Sequence, residues 1–165
     1  MIRIAEAKKK SPWEGVISWL PMEELIKKAI EQGDWISIHT EEPWGGSLET
    51  LRMARGMTDK IIMAKGIHRT NESVEASFKA GADYVLCVGR MAPYDNVIVE
   101  PASLADVKTF DSAKMLMWNR RDLSNGHARK LSWDLARKIR KGWMGCASLG
   151  FPFPEDADAC LFSVR

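Results

Sequence analysis

Several short apolar runs in this chain end in residues able to move protons or hold an anion. Ile2-Arg3-Ile4-Ala5 leads into Glu6-Ala7-Lys8-Lys9-Lys10-Ser11-Pro12. Alternate residues of a strand share a face, so Glu6 and Lys8 point the same way, with Lys10 just above. A carboxylate set among amines can bind an anion, and the charges shift one another's proton affinity. Ile61-Ile62-Met63-Ala64 ends in Lys65. A lysine in that position either snorkels to a rim or serves buried as an acid or nucleophile. Val97-Ile98-Val99 ends in Glu100, and Trp118 is followed by Asn119-Arg120-Arg121. Each has a plain reading alone, the Lys8–Lys10 run as a solvated basic turn above all. Together, strand ends carrying Glu, Lys, Lys, Glu, Asn and Arg on one face read as a site.

Positioning these residues requires a particular frame. Eight short β-rich runs recur: Ile2–Ile4, Trp35–Ile38, Lys60–Met63, Tyr84–Val88, Val97–Val99, Lys114–Trp118, Trp143–Ala147 and Ala159–Phe162. Most are continuously apolar, as a parallel strand must be when both its faces are covered. Helical patterns alternate with them. Met22, Leu25, Ile26, Ala29 and Ile30 form one stripe within Pro21–Gln32, with Gly33 as the stop. Ser47–Arg55 opens on a capping serine and closes at Gly56, and Thr70–Ala80 ends at Gly81. His127–Arg140 places Leu131, Leu135 and Ile139 on one stripe.

This alternation predicts an α/β fold, a closed parallel (β/α)8 TIM barrel spanning residues 1–165 as a single domain. An open doubly wound sheet is the alternative, and closure is favoured because it leaves no edge strands. A typical barrel needs about 250 residues. The 165 residues here allow only about 20 per unit by the same division. The saving falls at Gly89–Asn96 and Leu149–Asp158, which cannot hold full helices, and Pro101–Ser112 has room for about two turns. The expectation is a compact barrel with several crossover helices shortened or missing. Its wall near Gly89–Asn96 and around the C-terminus would be partly bare, and a second copy could cover it as a homo-oligomer.

Composition narrows the function classes. Hydrophobic residues make up 45% and charged residues 28%, which is ordinary globular usage. A formal net charge of +2 argues against a dedicated nucleic-acid partner. No apolar run is long enough to cross a bilayer, so no membrane partner is expected. Cys87, Cys146 and Cys160 form no CxxC pair and read as reduced thiols of a cytoplasmic protein. His39, His68 and His127 match no metal-ligand spacing, so no metal is expected. The seven tryptophans read as packing residues. Pro43-Trp44-Gly45-Gly46-Ser47 reads as a tight turn or a mobile loop over the site. Ser148-Leu149-Gly150 offers a hydroxyl and backbone donors to a phosphate.

In this order, the stretches IAEAKKKSP, ISIHTEEPWGGSLETL, KIIMAKGI, AGADYVLCV, VIVEP and NRRDL resemble the indole-3-glycerol-phosphate synthase family. The likeness is collinear from Ile2 to about Leu123 and fainter beyond. It implies closure of an indole ring from 1-(2-carboxyphenylamino)-1-deoxyribulose 5-phosphate, a phosphorylated small molecule, with loss of CO₂ and water and without a cofactor. That makes the chain a carboxy-lyase of tryptophan biosynthesis. Carried over, Lys65 is the general acid toward the ribulose carbonyl. Lys8 meets the substrate carboxylate and joins in proton transfer, and Glu100 serves the later dehydration. Glu6 and Asn119 orient these groups and bind hydroxyls. Arg121, Lys10, Ser11 and Ser148 hold the substrate, Lys10 and Ser148 at its phosphate.

The sequence also departs from the family pattern. It opens on the first strand, without the family's N-terminal helical extension. Ala147 stands where a glutamate is usual, Gly66 follows Lys65 in place of an aspartate, and Trp13 replaces a serine. Phe162-Ser163-Val164-Arg165 replaces the Gly-Ser phosphate turn of the last strand. The proton-handling end is thus kept and the phosphate-gripping end eroded, which implies weak binding. Two other readings compete with a compact, weakly active synthase. One is a barrel that kept its scaffold and lost or changed its reaction. The other is an isomerase or aldolase using Lys65 as an amine nucleophile.

Overall fold

A computed structural model describes residues 1–122, 124–129, 132–147 and 152–165. The eight apolar runs are all strands: β1 (Ile2–Ala7), β2 (Trp35–His39), β3 (Ile61–Lys65), β4 (Tyr84–Val88), β5 (Val97–Glu100), β6 (Met115–Asn119), β7 (Trp143–Ala147) and β8 (Ala159–Ser163). Each lies parallel to its sequence neighbours, and β8 returns to β1 through a register running from Ile2↔Ala159 to Glu6↔Ser163. The sheet is therefore closed, and the open doubly wound alternative is excluded.

Among the described residues, five α-helices pack on the outside: α1 (Met22–Gln32), α2 (Leu48–Met57), α3 (Asn71–Lys79), α4 (Leu104–Thr109) and α5 (Ser132–Ile139). Their starts follow from local chemistry. Ser47 accepts the Thr50 N–H at 3.1 Å, and Ser103 accepts that of Asp106 at 3.2 Å. Thr70 and Ser73 form a reciprocal capping box. The α1 stop differs from expectation in its cause. Gly33 has ordinary extended geometry (φ −106°), but a Cβ there would lie 2.3 Å from the Trp35 carbonyl oxygen. Glycine is needed for close approach, not for a left-handed turn. Helix α2 runs past Gly56 and ends at Met57.

Helix α5 departs furthest from the sequence reading. It begins at Ser132 rather than His127, and its buried face is Ser132, Trp133 and Ala136. Leu135 and Ile139, expected inside, are 48% and 37% exposed, and Leu131 lies outside the described residues. Polar anchors set this rotation. The Trp118 indole donates to Ser132 Oγ at 3.1 Å, and the Trp133 indole donates to Asp156 at 2.7 Å.

Side chains alternate between two cores. Ile4, Met63, Leu86, Ile98, Met117 and Leu161 fill the barrel interior. Their strand neighbours, among them Ala5, Ile62, Val85, Val99, Leu116 and Cys146, meet the outer layer. The wall at Gly89–Asn96 is not bare, because Ala92 and Tyr94 of that connection pack on the outer core and Cys87 and Val99 stay buried. The three cysteines are free and buried.

At the end where the strands begin, two guanidiniums gather carbonyl groups. Arg55 donates to the carbonyls of Thr58 (2.7 Å), Lys60 (2.8 Å) and Gly81 (3.1 Å) and pairs with Asp83 at 2.9 Å. Arg140, 3% exposed, donates to the carbonyls of Asp111 (2.5 Å), Ala113 (2.7 Å), Lys114 (3.2 Å) and Trp143 (3.2 Å). These bonds satisfy loop carbonyls that burial would otherwise leave unpaired. Among the described residues, no helix is long and apolar enough to cross a membrane.

Candidate active site

Above the Ile4–Met63–Leu86 level, the inward-facing residues turn polar. Two residues farther along their strands stand Glu6, His39 (two beyond Ser37), Lys65, Glu100 and Asn119, and all of them line one cavity of about 560 Å³ at the C-terminal end of the barrel. Period-two alternation in parallel strands of matched register brings these distant positions together.

Glu6 is the hub. It is 1% exposed, lies 3.4 Å from the Lys8 ammonium and 3.8 Å from that of Lys65, and accepts the Ser37 hydroxyl at 2.9 Å. Burial alone would raise its pKa, but Lys65, Lys8, His39 and the Ser37 hydrogen bond outweigh it and hold the carboxyl at about 2. Lys8 is drawn below the usual amine range. Its burial dominates and the Lys65 charge adds to it, against the opposing pull of Glu6.

Glu100 is equally buried, at 1% exposure, but its environment pushes the other way. Burial raises its pKa, and the Lys65 charge and a hydrogen bond from Asn119 offset this only in part. Asn119 Oδ1 accepts the Arg121 backbone N–H at 2.9 Å, which leaves its amide N–H for Glu100. Glu100 Oε1 has no hydrogen-bond partner among the described residues. Two buried carboxyl groups in one cavity, one firmly ionised and one biased toward the acid, form the arrangement from which acid and base roles are divided.

The remaining expected residues are spread more widely. Ser11 is buried, lines the cavity and accepts the Glu14 N–H at 3.0 Å. Arg121 also lines it, with its guanidinium paired to Glu14 at 3.0 Å. Lys10 does not continue the β1 alternation. Beyond Ala7 the chain turns into a small antiparallel hairpin, Lys10–Ser11 with Gly15–Val16, and Lys10 pairs with Glu42 at 3.1 Å outside the cavity lining. Ser148 lies outside the described residues. Among the described residues, Ala147, Phe162, Ser163 and Arg165 line the β7–β8 side of the cavity, which carries no carboxylate side chain there.

Two tryptophans that read as packing residues, and a histidine given no role, line the cavity. Trp13 lines the cavity at the hairpin tip and lies against Gly126, whose φ of 75° and missing Cβ admit the indole. Trp44 stacks on His39 with ring centroids 4.7 Å apart and planes 8° apart. His39 itself is 4% exposed and lines the cavity. Extending the Trp35–Ile38 run by one residue would have added His39 to the other polar strand ends. Among the described residues, no group of three or more His, Cys, Asp or Glu is placed to hold a metal ion.

A family model described as Indole-3-glycerol phosphate synthase matches residues 1–108. The chain belongs to the indole-3-glycerol phosphate synthase family. The matched span carries β1 to β5 and so includes Glu6, Lys8, His39, Lys65 and Glu100. Asn119 and Arg121 lie beyond it, on β6 and just after. The family's fold is met by the closed barrel, here with crossover helices missing.

Proposed function

We propose that this family member closes an indole ring, converting 1-(2-carboxyphenylamino)-1-deoxyribulose 5-phosphate to indole-3-glycerol phosphate, CO₂ and water as a carboxy-lyase of tryptophan biosynthesis. The observation that carries this reading is the Lys8–Glu6–Lys65 cluster and Glu100 lining one cavity at the mouth of the barrel. Ring closure needs a proton delivered to a carbonyl oxygen while a carboxylated aromatic carbon attacks. Lys65 delivers that proton, and Glu6 holds its ammonium in place. The new carbon–carbon bond forms at the former carbonyl carbon. The substrate carboxylate, held by Lys8, leaves as CO₂ and returns its bonding pair to the ring. The hydroxyl then departs as water with a proton from Glu100, the ring nitrogen supplying the electron pair. Loss of one further proton from the neighbouring carbon completes the indole. The upward bias on Glu100 suits a group that must start protonated near neutral pH. Asn119 steadies Glu100, and Ser11 and Arg121 serve the phosphate side with Ser148. Lys10 joins them only by releasing Glu42.

The test is turnover of that substrate, followed by indole fluorescence, beside Lys65→Ala. The expected result is slow turnover by the native protein and a loss of about 10³-fold or more in the variant with folding intact. Unchanged turnover in the variant removes Lys65 from the reaction.

Ala147 and Phe162 on the β7–β8 side favour a second reading, a barrel of this family repurposed to bind a phosphorylated sugar without this chemistry. Calorimetry with a substrate analogue separates the two. No heat at millimolar ligand with folded protein supports the repurposed barrel.

A further inference from the structure

His39 is a polar group of the inner rim without a part in these steps. It ends β2 in register with Lys65 of β3 and lines the cavity beside Glu6. Adjacent strands lie about 4.8 Å apart, so one small ligand atom can reach both side chains.

The ring is held with more care than a packing residue needs. Trp44 stacks flat on one side. The turn that brings Trp44 there passes the His39 backbone so closely that a Cβ on Gly46 would sit 1.8 Å from the His39 carbonyl oxygen. Gly45 beside it takes a left-handed φ of 75°. Both glycines of the turn therefore have a structural cause, and its product is a fixed imidazole. Nδ1 accepts the Glu41 backbone N–H at 3.2 Å, so the ring proton of the neutral form resides on Nε2. Among the described residues, nothing accepts from Nε2.

We propose that His39 is a further catalytic residue of the ring closure, donating its Nε2–H to the same ribulose oxygen that Lys65 protonates. This rests on the functional reading above. No proton leaves the imidazole. Lys65 supplies it, and His39 holds the oxygen by a hydrogen bond as negative charge gathers there during attack. A neutral, oriented N–H in a dry site stabilises such charge without reorganising. Its neutrality has a clear cause. Burial first, and then the Lys65 and Lys8 ammoniums against the opposing Glu6, keep His39 at about 3. The donor is therefore present throughout the working range.

The experiment compares native protein, His39→Phe, His39→Gln and His39→Ala in turnover and in calorimetric binding of the substrate analogue whose ribulose carbonyl is reduced to an alcohol. Phe keeps the stack on Trp44 and loses the donor, whereas Gln restores an N–H. Expected is a fall of about 10²-fold in kcat for His39→Phe with KM changed little. His39→Gln should recover much of it, and the reduced analogue should bind about tenfold more weakly to His39→Phe than to native protein. Native-like kcat in folded His39→Phe overturns the inference and leaves the functional reading standing. If His39→Phe does not fold, His39→Gln decides: a kcat as low as that of His39→Ala overturns the inference. If the native protein turns nothing over, the functional reading falls. The inference then stands only if native protein still binds the reduced analogue more tightly than His39→Phe does. Equal affinity, or none, overturns it.

Discussion

The two halves of the rim are built on different terms. From β1 to β5, four strand ends place Glu6, His39, Lys65 and Glu100 around one space, and each is held by a second group: Ser37 and Lys8 on Glu6, Trp44 and Glu41 on His39, Asn119 on Glu100. From β7 to β8, the same level carries Ala147 and Ser163, flanked by Phe162. The family model covers the first half and ends before the second. The barrel frame is continuous through this, since β6, β7 and β8 each pair with both neighbours. Strand pairing and interior packing thus set the shape, while the chemistry depends on a few outermost positions that can be exchanged without disturbing it.

The contrast yields graded expectations. Glu6→Gln strikes the densest point. Among the described residues it removes the one carboxylate within 4 Å of both the Lys8 and Lys65 ammoniums, which are largely buried, so stability should fall by about 3 kcal/mol and turnover should be lost. Thermal melts with and without 0.5 M salt check this, and an unchanged melting temperature would show that the cluster is not coupled. The native protein carries a related acid signature. The Glu6 carboxyl sits at about 2 when folded, against 4.5 unperturbed. Its contribution is therefore fully present above the unperturbed value and is lost as pH falls toward 2.

Glu100→Gln separates function from stability. Turnover should drop about 10²-fold. Because the folded pKa of Glu100 is raised, the carboxyl costs stability as pH climbs through it, so the variant should melt higher than native protein at pH 8 and equally at pH 3. A lower melting point at pH 8 would contradict the burial argument.

On the sparse half the effects should be smaller and of opposite sign. Ala147→Glu returns a carboxylate to a position where the family usually has one, and kcat/KM should rise about tenfold. A fall would mean that this half has been reshaped for another ligand. At the hairpin tip beyond β1, Trp13→Ser should lower KM about threefold with kcat unchanged, by widening the cavity. An unchanged KM would place Trp13 outside the binding path.

The frame was legible in the sequence because strands buried on both faces leave continuous apolar runs, and serine and threonine caps mark helix starts such as Ser47 and Thr70. Helix α5 was not, since its rotation is set by Trp118–Ser132 and Trp133–Asp156 hydrogen bonds that outweigh exposing Leu135 and Ile139. Period-two alternation found Glu6, Lys8, Lys65, Glu100 and Asn119. It failed at Lys10, where the hairpin ends the alternation, and at His39, one residue past the last apolar position of its run. Nothing in a single sequence says that Trp44 folds back onto that ring. The backbone conformation of Gly45 and Gly46 decides it.

Arg55 and Arg140 sit at the opposite end from all of this. Each gathers the backbone of two neighbouring connections, work that longer loops and extra helices do in larger barrels. A ring clasped this way from below keeps its strand order even where the groups at its mouth change. Evolution can therefore retune, weaken or reassign what happens at the top while the vessel keeps its form.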